Sequence, residues 1–384
     1  METRIERILP GGLGLAHADG KTVLVSLAAP GDEVRVQVER EQGNVLFASV
    51  VEVLRPSPVR VEPPCPYFGR CGGCDFQQLT YEAQLAAKAE IISDCLHRIA
   101  RLDAVPPITV HPSPATWHYR VRATWQIDQE KREIGYYERG SRRVCDVEYC
   151  AVLMPELQET LERVRATEWG EFPPELKHLD AISGENEVSL SPPFGSFETN
   201  ELSTRVGNEV YRYNAESFFQ INPALLPELV EFALSDASGG TALDLYCGVG
   251  LFTLPLARRF EKVVGVEANT VATRFARRNL QDAALTNARV VTATVAVWIR
   301  SRSVDAFDFV LLDPPRAGAE SVVIKGILDS QPKRISYVSC DPATLARDLK
   351  KLIAGGYTID SIAGFDLFPQ THHVETVVLL RRSM

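Results

Sequence analysis

From about residue 215 onward, short apolar runs alternate with segments of helical periodicity. This alternation restricts the C-terminal part of the chain to an open, doubly wound α/β domain. The apolar runs are Ala242-Leu243-Asp244-Leu245-Tyr246, Lys262-Val263-Val264-Gly265-Val266-Glu267, Phe307-Asp308-Phe309-Val310-Leu311-Leu312 and Arg334-Ile335-Ser336-Tyr337-Val338-Ser339. Helices are expected from Phe252 to Arg259 and from about Val271 to Ala283. Ligands of such folds sit at the carboxyl ends of the strands. Four strings fall there or close the last strand: Asp244-Leu245-Tyr246-Cys247-Gly248-Val249-Gly250, Asp313-Pro314-Pro315-Arg316, Ser339-Cys340-Asp341-Pro342 and His373-Val374-Glu375-Thr376. They follow one another at intervals of a strand plus a helix, so all are expected at one edge of a parallel sheet.

The 384 residues, 45% of them hydrophobic, suffice for several cores. Residues 1–57 read as about five short strands with glycine turns, a small barrel of the oligonucleotide-binding kind. A proline-rich linker, Arg55-Pro56-Ser57-Pro58 and Glu62-Pro63-Pro64, leads into a central α+β region, residues 58–214. That region opens on Cys65-Pro66-Tyr67-Phe68-Gly69-Arg70-Cys71-Gly72-Gly73-Cys74. A helix is expected from Thr80, its N-cap, to Ile99, and strands return at 118–150. Residues 215–384 form the α/β domain. No apolar run is long enough to span a bilayer, and the charged start Met1-Glu2-Thr3-Arg4 does not read as a signal peptide. A cytoplasmic protein is expected. The net charge of −9 argues against a surface coated in basic residues but leaves room for a local patch.

Each string carries chemistry. The glycines of Asp244-x-x-Cys247-Gly248-x-Gly250 allow a ligand close to the backbone, and Glu267 at the next strand end can accept ribose hydroxyls. Neither GxGxxG nor a P-loop occurs, so S-adenosylmethionine fits better than NAD or ATP. Asp313 on its stiff proline loop can meet the N–H edge of a planar base. Cys340 opens a helix, whose N-terminus is expected to favour the thiolate. A thiolate adding to C6 of uracil makes C5 nucleophilic enough to take a methyl group, and a base must then remove the C5 proton. Glu375 is the candidate base. In a reducing compartment the eight cysteines are not expected to pair. The spacing Cys65-x5-Cys71-x2-Cys74 suits zinc or an iron–sulfur cluster, with Cys145 or Cys150 as the fourth ligand. Arg120, Arg122, Lys131, Arg132, Arg139, Arg142 and Arg143, interleaved with aromatics, form a candidate RNA-gripping hairpin.

These motifs give the chain a resemblance, over nearly its full length, to the S-adenosylmethionine-dependent RNA 5-methyluridine methyltransferases. The branch it resembles carries an N-terminal TRAM domain and a 4Fe–4S cluster. The resemblance rests on Cys-x5-Cys-Gly-Gly-Cys, Asp-Leu-Tyr-Cys-Gly-x-Gly, Asp-Pro-Pro-Arg-x-Gly and Ser-Cys-x-Pro-x-Thr-Leu. It implies Cys340 as nucleophile and Glu375 as proton acceptor. It implies Gln220, Tyr246, Glu267 and Asp313 around the cofactor, beside Gly248 and Gly250. It implies Cys65, Cys71, Cys74 and Cys150 as cluster ligands, and a helix after the cluster folded back onto the catalytic domain. Phe218 is expected to stack on the flipped base, with Asp313 on its edge and Arg142 and Arg143 on phosphates. The expected substrate is a loop uridine of 23S rRNA, with the T-loop of tRNA as the alternative, and the expected state a monomer. A protein that only bound RNA on a relic of this fold would have no reason to keep Cys340, Glu375, Asp313 and Gln220 together. Two departures stand out. Leu251 replaces an Asn beside the cofactor, and Asp341 replaces an Asn beside the nucleophile, where a second acid would raise the thiol pKa unless it points away.

Overall fold

The computed structural model describes residues 1–185, 187–301 and 307–383. Six N-terminal strands form one sheet: β1 (Glu2–Arg4), β2 (Arg7–Ile8), β3 (Gly14–Ala18), β4 (Lys21–Ser26), β5 (Glu33–Gln42) and β6 (Val45–Arg55). Their order is β1-β5-β6-β4-β3-β2, so the two short strands of the first segment lie at opposite ends of the sheet and curl it round a core of Ile5, Ala16, Val23, Val25 and Val34.

Helix α1 (Tyr81–Cys95) starts where expected, because the Thr80 side chain accepts a hydrogen bond from the Ala83 amide. A wider turn, Leu96–Ala100, continues it. Ile92, Cys95 and Leu96 join the same core as Leu345 and Leu349, so this helix packs on the C-terminal domain although its sequence lies far upstream. Strand β7 (Thr109–His111) follows and pairs with the far edge of the C-terminal sheet. The region 58–214 is therefore not one body: its first part buttresses the C-terminal domain. Its second part makes a separate antiparallel sheet from β8 (Arg122–Asp128), β9 (Glu133–Tyr137), β10 (Val144–Asp146), β11 (His178–Ser183) and β12 (Val188–Ser191). Helix α2 (Pro155–Arg165) buries Leu157, Leu161 and Val164 against Trp125 and Leu179 of that sheet. A hairpin, β13 (Leu202–Val206) with β14 (Glu209–Tyr213), leads into α3 (Leu226–Leu234).

The C-terminal domain comprises β15 (Gly239–Leu245), α4 (Thr253–Ala257), β16 (Phe260–Glu267), α5 (Thr270–Asp282), β17 (Ala288–Thr292), α6 (Val295–Arg300), β18 (Phe309–Leu312), α7 (Ser321–Ser330), β19 (Arg334–Ser339), α8 (Pro342–Ala354), β20 (Tyr357–Phe365) and β21 (Glu375–Arg382). With β7 they give an eight-stranded sheet of order β17-β16-β15-β18-β19-β21-β20-β7. Alternate residues face opposite layers: Ala242 packs with the α3–α5 side, Leu243 and Leu245 with the α6–α8 side. The order reverses beside β15, which leaves a crevice between the ends of β15 and β18.

The sheet is not purely parallel, and that is a correction with a consequence. β21 runs antiparallel to β19, with Ser339 opposite Thr376. Its first residue, Glu375, therefore lies at the edge where the parallel strands end. Among the described residues no helix is long and apolar enough to cross a membrane.

Candidate active site

The glycine loop turns directly off β15. Tyr246 has φ 64°, Gly248 54° and Gly250 97°, left-handed values that let the chain double back before α4. The Cys247 amide donates to the Val266 carbonyl at 3.1 Å, which ties the loop to β16. Glu267, the last residue of β16, accepts from the Gly248 amide at 3.1 Å and from the Asn269 amide at 2.7 Å. A Cβ on Gly248 would meet nothing within 4 Å, so the space beside the loop is open. Asp244 lies beneath it, fully buried. One carboxylate oxygen accepts from the Thr253 hydroxyl, while the other has no partner among the described residues. Burial pushes this carboxyl up to about 7. Gln220 is buried on the segment whose Phe219 and Ile221 share a core with Cys247, Val249 and Leu251. Leu251 serves that core with its side chain, and its carbonyl accepts from the Tyr211 hydroxyl at 2.9 Å.

Across the crevice stand the reacting groups. Asp313 follows β18, with its amide 3.3 Å from the Leu245 carbonyl. Cys340 follows β19. Glu375 is 2% exposed, and its Oε1 has no partner among the described residues. Burial first, and then the charge of Asp313, drive the Glu375 carboxyl well above its ordinary range; burial raises Asp313 to about 7. Two carboxyls this close in a dry site resist ionising together, so near neutrality the pair holds a proton. The Arg316 charge opposes the rise at both Glu375 and Cys340.

The helix end that favours a Cys340 thiolate is opposed by the surroundings of the sulfur. Burial, then the charge of Glu375, push the thiol up to about 12. The start of α8 is occupied by Asp341, whose Oδ1 accepts from the Ala343 and Thr344 amides at 3.0 and 2.9 Å. The acid that replaces Asn is thus engaged as the N-cap of the helix, although its charge still adds a little to the rise of the thiol.

Two residues with no role assigned from sequence join this edge. His373 is held neutral, pushed down to about 3 by burial and by the charges of His372 and Arg316. Its Nε2 accepts from the Arg316 guanidinium at 3.3 Å. The proximity of Arg316 and His373, 57 positions apart, has no signal in the sequence.

A second constellation lies in the central region. Cys65, Cys71, Cys74 and Cys150 line one cavity with Gln77, Arg120 and Tyr136, whereas Cys145 is buried in β10 and is not part of the wall. The glycines fit the wrap: a Cβ on Gly72 would press to 3.0 Å on the Tyr137 carbonyl, and the Gly73 amide lies 3.4 Å from the Cys71 sulfur. Burial pushes the Cys71 and Cys74 thiols up to about 12, so binding of a metal group would have to release their protons. Among the described residues no group of three or more Cys, His, Asp or Glu side chains is arranged to hold a metal ion, these cysteines included. Zinc needs each thiolate about 2.3 Å from one point.

The basic hairpin is thinner than its sequence promised. Arg120 lines the cysteine cavity and donates to the Arg122 carbonyl at 2.8 Å. Arg122 donates to the Ser217 and Ala215 carbonyls at 2.7 and 3.1 Å. Both are spent on the fold, because their guanidinium groups are taken up by backbone carbonyls. Arg139 donates to the Cys74 carbonyl, and Lys131 pairs with Asp128. Arg142 and Arg143 are exposed, the latter bridged to Glu138 at 2.8 Å. Phe218 is 58% exposed, with the Arg122 guanidinium 5.9 Å from its ring centre.

Residues 196–383 match the family profile described as tRNA (uracil-5-)-methyltransferase, and residues 1–59 match the TRAM domain of tRNA (uracil(54)-C(5))-methyltransferase. An RNA methyltransferase of Aquifex aeolicus is 33% identical, over 99% of this chain and 98% of its own. A 23S rRNA (uracil(1939)-C(5))-methyltransferase of Pectobacterium atrosepticum is 32% identical, over 96% of this chain and 91% of its own. Among solved structures, the tRNA (uracil-54, C5)-methyltransferase of Pyrococcus abyssi, in complex with S-adenosyl-L-homocysteine, superposes with a TM-score of 0.77. It is 28% identical and the match covers 99% of this chain and all of that one.

Proposed function

The chain belongs to the RNA uracil-C5 methyltransferase family and is an S-adenosylmethionine-dependent enzyme; from that premise we propose that it methylates C5 of a uridine in 23S rRNA through a covalent adduct on Cys340. One observation carries the mechanism: Cys340, Asp313 and the buried Glu375 meet at the sheet edge that also holds the open glycine loop.

Asp313 accepts the N3–H of the uracil and orients the ring. The Cys340 thiol gives up its proton as the base enters. That proton passes to bulk water before the base seals the site, so Glu375 stays free to accept the later one, and Arg316 offsets the charge that builds on sulfur. The sulfur bonds to C6, and the C5–C6 π electrons shift so that C5 becomes an enolate carbon. C5 bonds to the methyl carbon as that carbon leaves its sulfonium. Glu375 then takes the C5 proton, the C5=C6 bond re-forms, and the Cys340 thiolate leaves. Glu375 must be ionised for this last step, and its crowding by Asp313 makes it a strong base.

S-adenosylmethionine supplies an electrophilic methyl group. Glu267, Gly248 and Gly250, with Tyr246 and Gln220, would hold its nucleoside. Cys65, Cys71, Cys74 and Cys150 would hold a 4Fe–4S cluster, a reading supported by the common cavity and by the enclosed Arg120, whose positive charge suits a cluster with four thiolates. Phe218 stands free to stack on the flipped base or its neighbour. The protein is proposed to act as a cytoplasmic monomer.

The tRNA loop uridine is the second reading, favoured by the Pyrococcus abyssi neighbour; the ribosomal reading is favoured by the higher identity to the Pectobacterium relative. Incubation with methyl-labelled cofactor and separated 23S rRNA and tRNA, followed by mapping of the labelled nucleotide, decides between them. Label at 5-methyluridine in 23S rRNA is expected; label confined to tRNA would reverse the assignment.

A further inference from the structure

The loop from Asp366 to His373 leads into Glu375, yet most of what holds it comes from outside the sheet it serves. The Asp75 and Phe76 amides donate to the Gln370 carbonyl at 3.1 and 3.0 Å. The His372 amide donates to Asp75 Oδ1 at 2.8 Å, and Asp75 Oδ2 lies 2.5 Å from His372 Nδ1. Gln84 and Gln370 exchange two hydrogen bonds of 3.0 and 2.9 Å. The fully buried Lys88 pairs with Asp366 and donates to the Phe368 carbonyl at 3.0 Å. The Tyr119 hydroxyl donates to the Pro369 carbonyl at 2.9 Å. Asp75 directly follows Cys74, so one carboxylate joins the cysteine-lined segment to the loop before the candidate base.

Glu375 has little support of its own. Its Oε1 has no partner among the described residues, and its backbone pairs with Phe365 at the first rung of β21, so its aim depends on how the loop delivers the chain to that rung. That entry is constrained on purpose-built terms: Gln370 sits at φ 68°, a left-handed backbone that costs of order 1–3 kcal/mol unless its surroundings impose it. Asp75, Phe76 and Gln84 impose it. His372 in turn packs on His373 at 4.1 Å between ring centres, and His373 touches Arg316. The chain of contacts therefore runs from Cys74 through Asp75 and His372 to the groups that surround the reacting thiol.

We propose that Asp75 is a positioning residue for Glu375, and that through its clamp on His372 the cysteine-lined segment serves as a buttress of the active site. This rests on the reading of Glu375 as the base that removes the C5 proton. A misaligned base slows proton removal but leaves thiolate addition and methyl transfer in place. Displacement of a catalytic group by about 1 Å can cost ~10²-fold in rate.

The test compares wild type, Asp75→Ala, Asp75→Asn and Glu375→Gln with an RNA substrate. For Asp75→Ala we expect wild-type iron content and visible absorption and kcat lower by ~10²-fold. Both KM values should be unchanged, and methylated RNA should remain covalently attached, as for Glu375→Gln. Asp75→Asn keeps an oxygen for the His372 amide and should recover most of the rate. Wild-type kcat in Asp75→Ala overturns the proposal. So does a rate loss that tracks iron loss, or a rate loss without a trapped adduct. If wild type itself forms no adduct with 5-fluorouridine RNA, the covalent reading falls and the proposal with it. That result is distinct from an adduct-forming wild type whose Asp75→Ala variant turns over normally.

Discussion

Single residues carry the sharpest consequences. Glu375→Gln should still form the Cys340–C6 bond and accept the methyl, then stall, so methylated RNA should accumulate on the protein in denaturing gels. Turnover should fall by ~10²–10⁴. Cys340→Ala should give neither adduct nor product, and any steady turnover by that variant would remove Cys340 from the mechanism. Asp244 makes a different kind of prediction. Its carboxyl stands at 3.8 when unperturbed and at about 7 in the folded protein. The folded state therefore holds a proton that the unfolded chain releases, and stability falls as pH rises from about 4 to about 7. Above that window the buried charge costs on the order of 4 kcal/mol. Asp244→Asn should thus be more stable than wild type in urea at pH 8 and no more stable at pH 4. A stability difference that does not change with pH would show that Asp244 does not titrate in this range.

At the scale of elements, helix α8 and the cysteine segment each depend on local chemistry. Asp341 caps α8 with two amide hydrogen bonds, and Pro342 occupies the first helical position without losing a donor. Asp341→Ala should lower stability by about 1–2 kcal/mol, and Asp341→Asn should restore most of it, both read from urea midpoints. An Asn variant as unstable as the Ala variant would mean that the charge, not the cap, matters there. In the cysteine segment, if the proposed cluster is bound, Cys145→Ser should retain iron and visible absorption, since Cys145 lies outside the cavity wall, whereas Cys150→Ser should lose both. The opposite pattern would move the fourth ligand to β10.

Over the whole molecule, the problem is how a protein of net charge −9 holds a polyanion. The hairpin offers fewer free cations than its sequence suggests, because Arg120 and Arg122 support the fold. Arg142 and Arg143 remain at the surface. Each phosphate contact made by such a residue releases counterions, so RNA affinity should fall steeply with salt. Arg142→Glu with Arg143→Glu should weaken RNA binding, flatten that salt dependence and leave S-adenosylmethionine binding unchanged. An unaltered salt slope would locate the phosphate contacts elsewhere.

The sequence by itself determined the elements and their chemistry. The apolar runs specified β15, β16, β18 and β19, because a strand buried on both faces must be apolar throughout. The Thr80 cap, the glycine loop and the three cysteines nearest in sequence were legible because each is a local pattern, decided within a few residues. What the tertiary structure decided was everything that depends on packing between distant segments. It reversed β21, which brought Glu375 to the edge beside Asp313 and Cys340. It drew β7 out of the central region onto the catalytic domain, beside the helix that the family resemblance had already led one to expect there. It turned Arg120 and Arg122 inward and raised the Cys340 thiol, since burial and neighbouring charge are set by what packs nearby and not by what is adjacent in the chain. It also joined Asp75 to His372 across 297 positions, a contact no local pattern encodes.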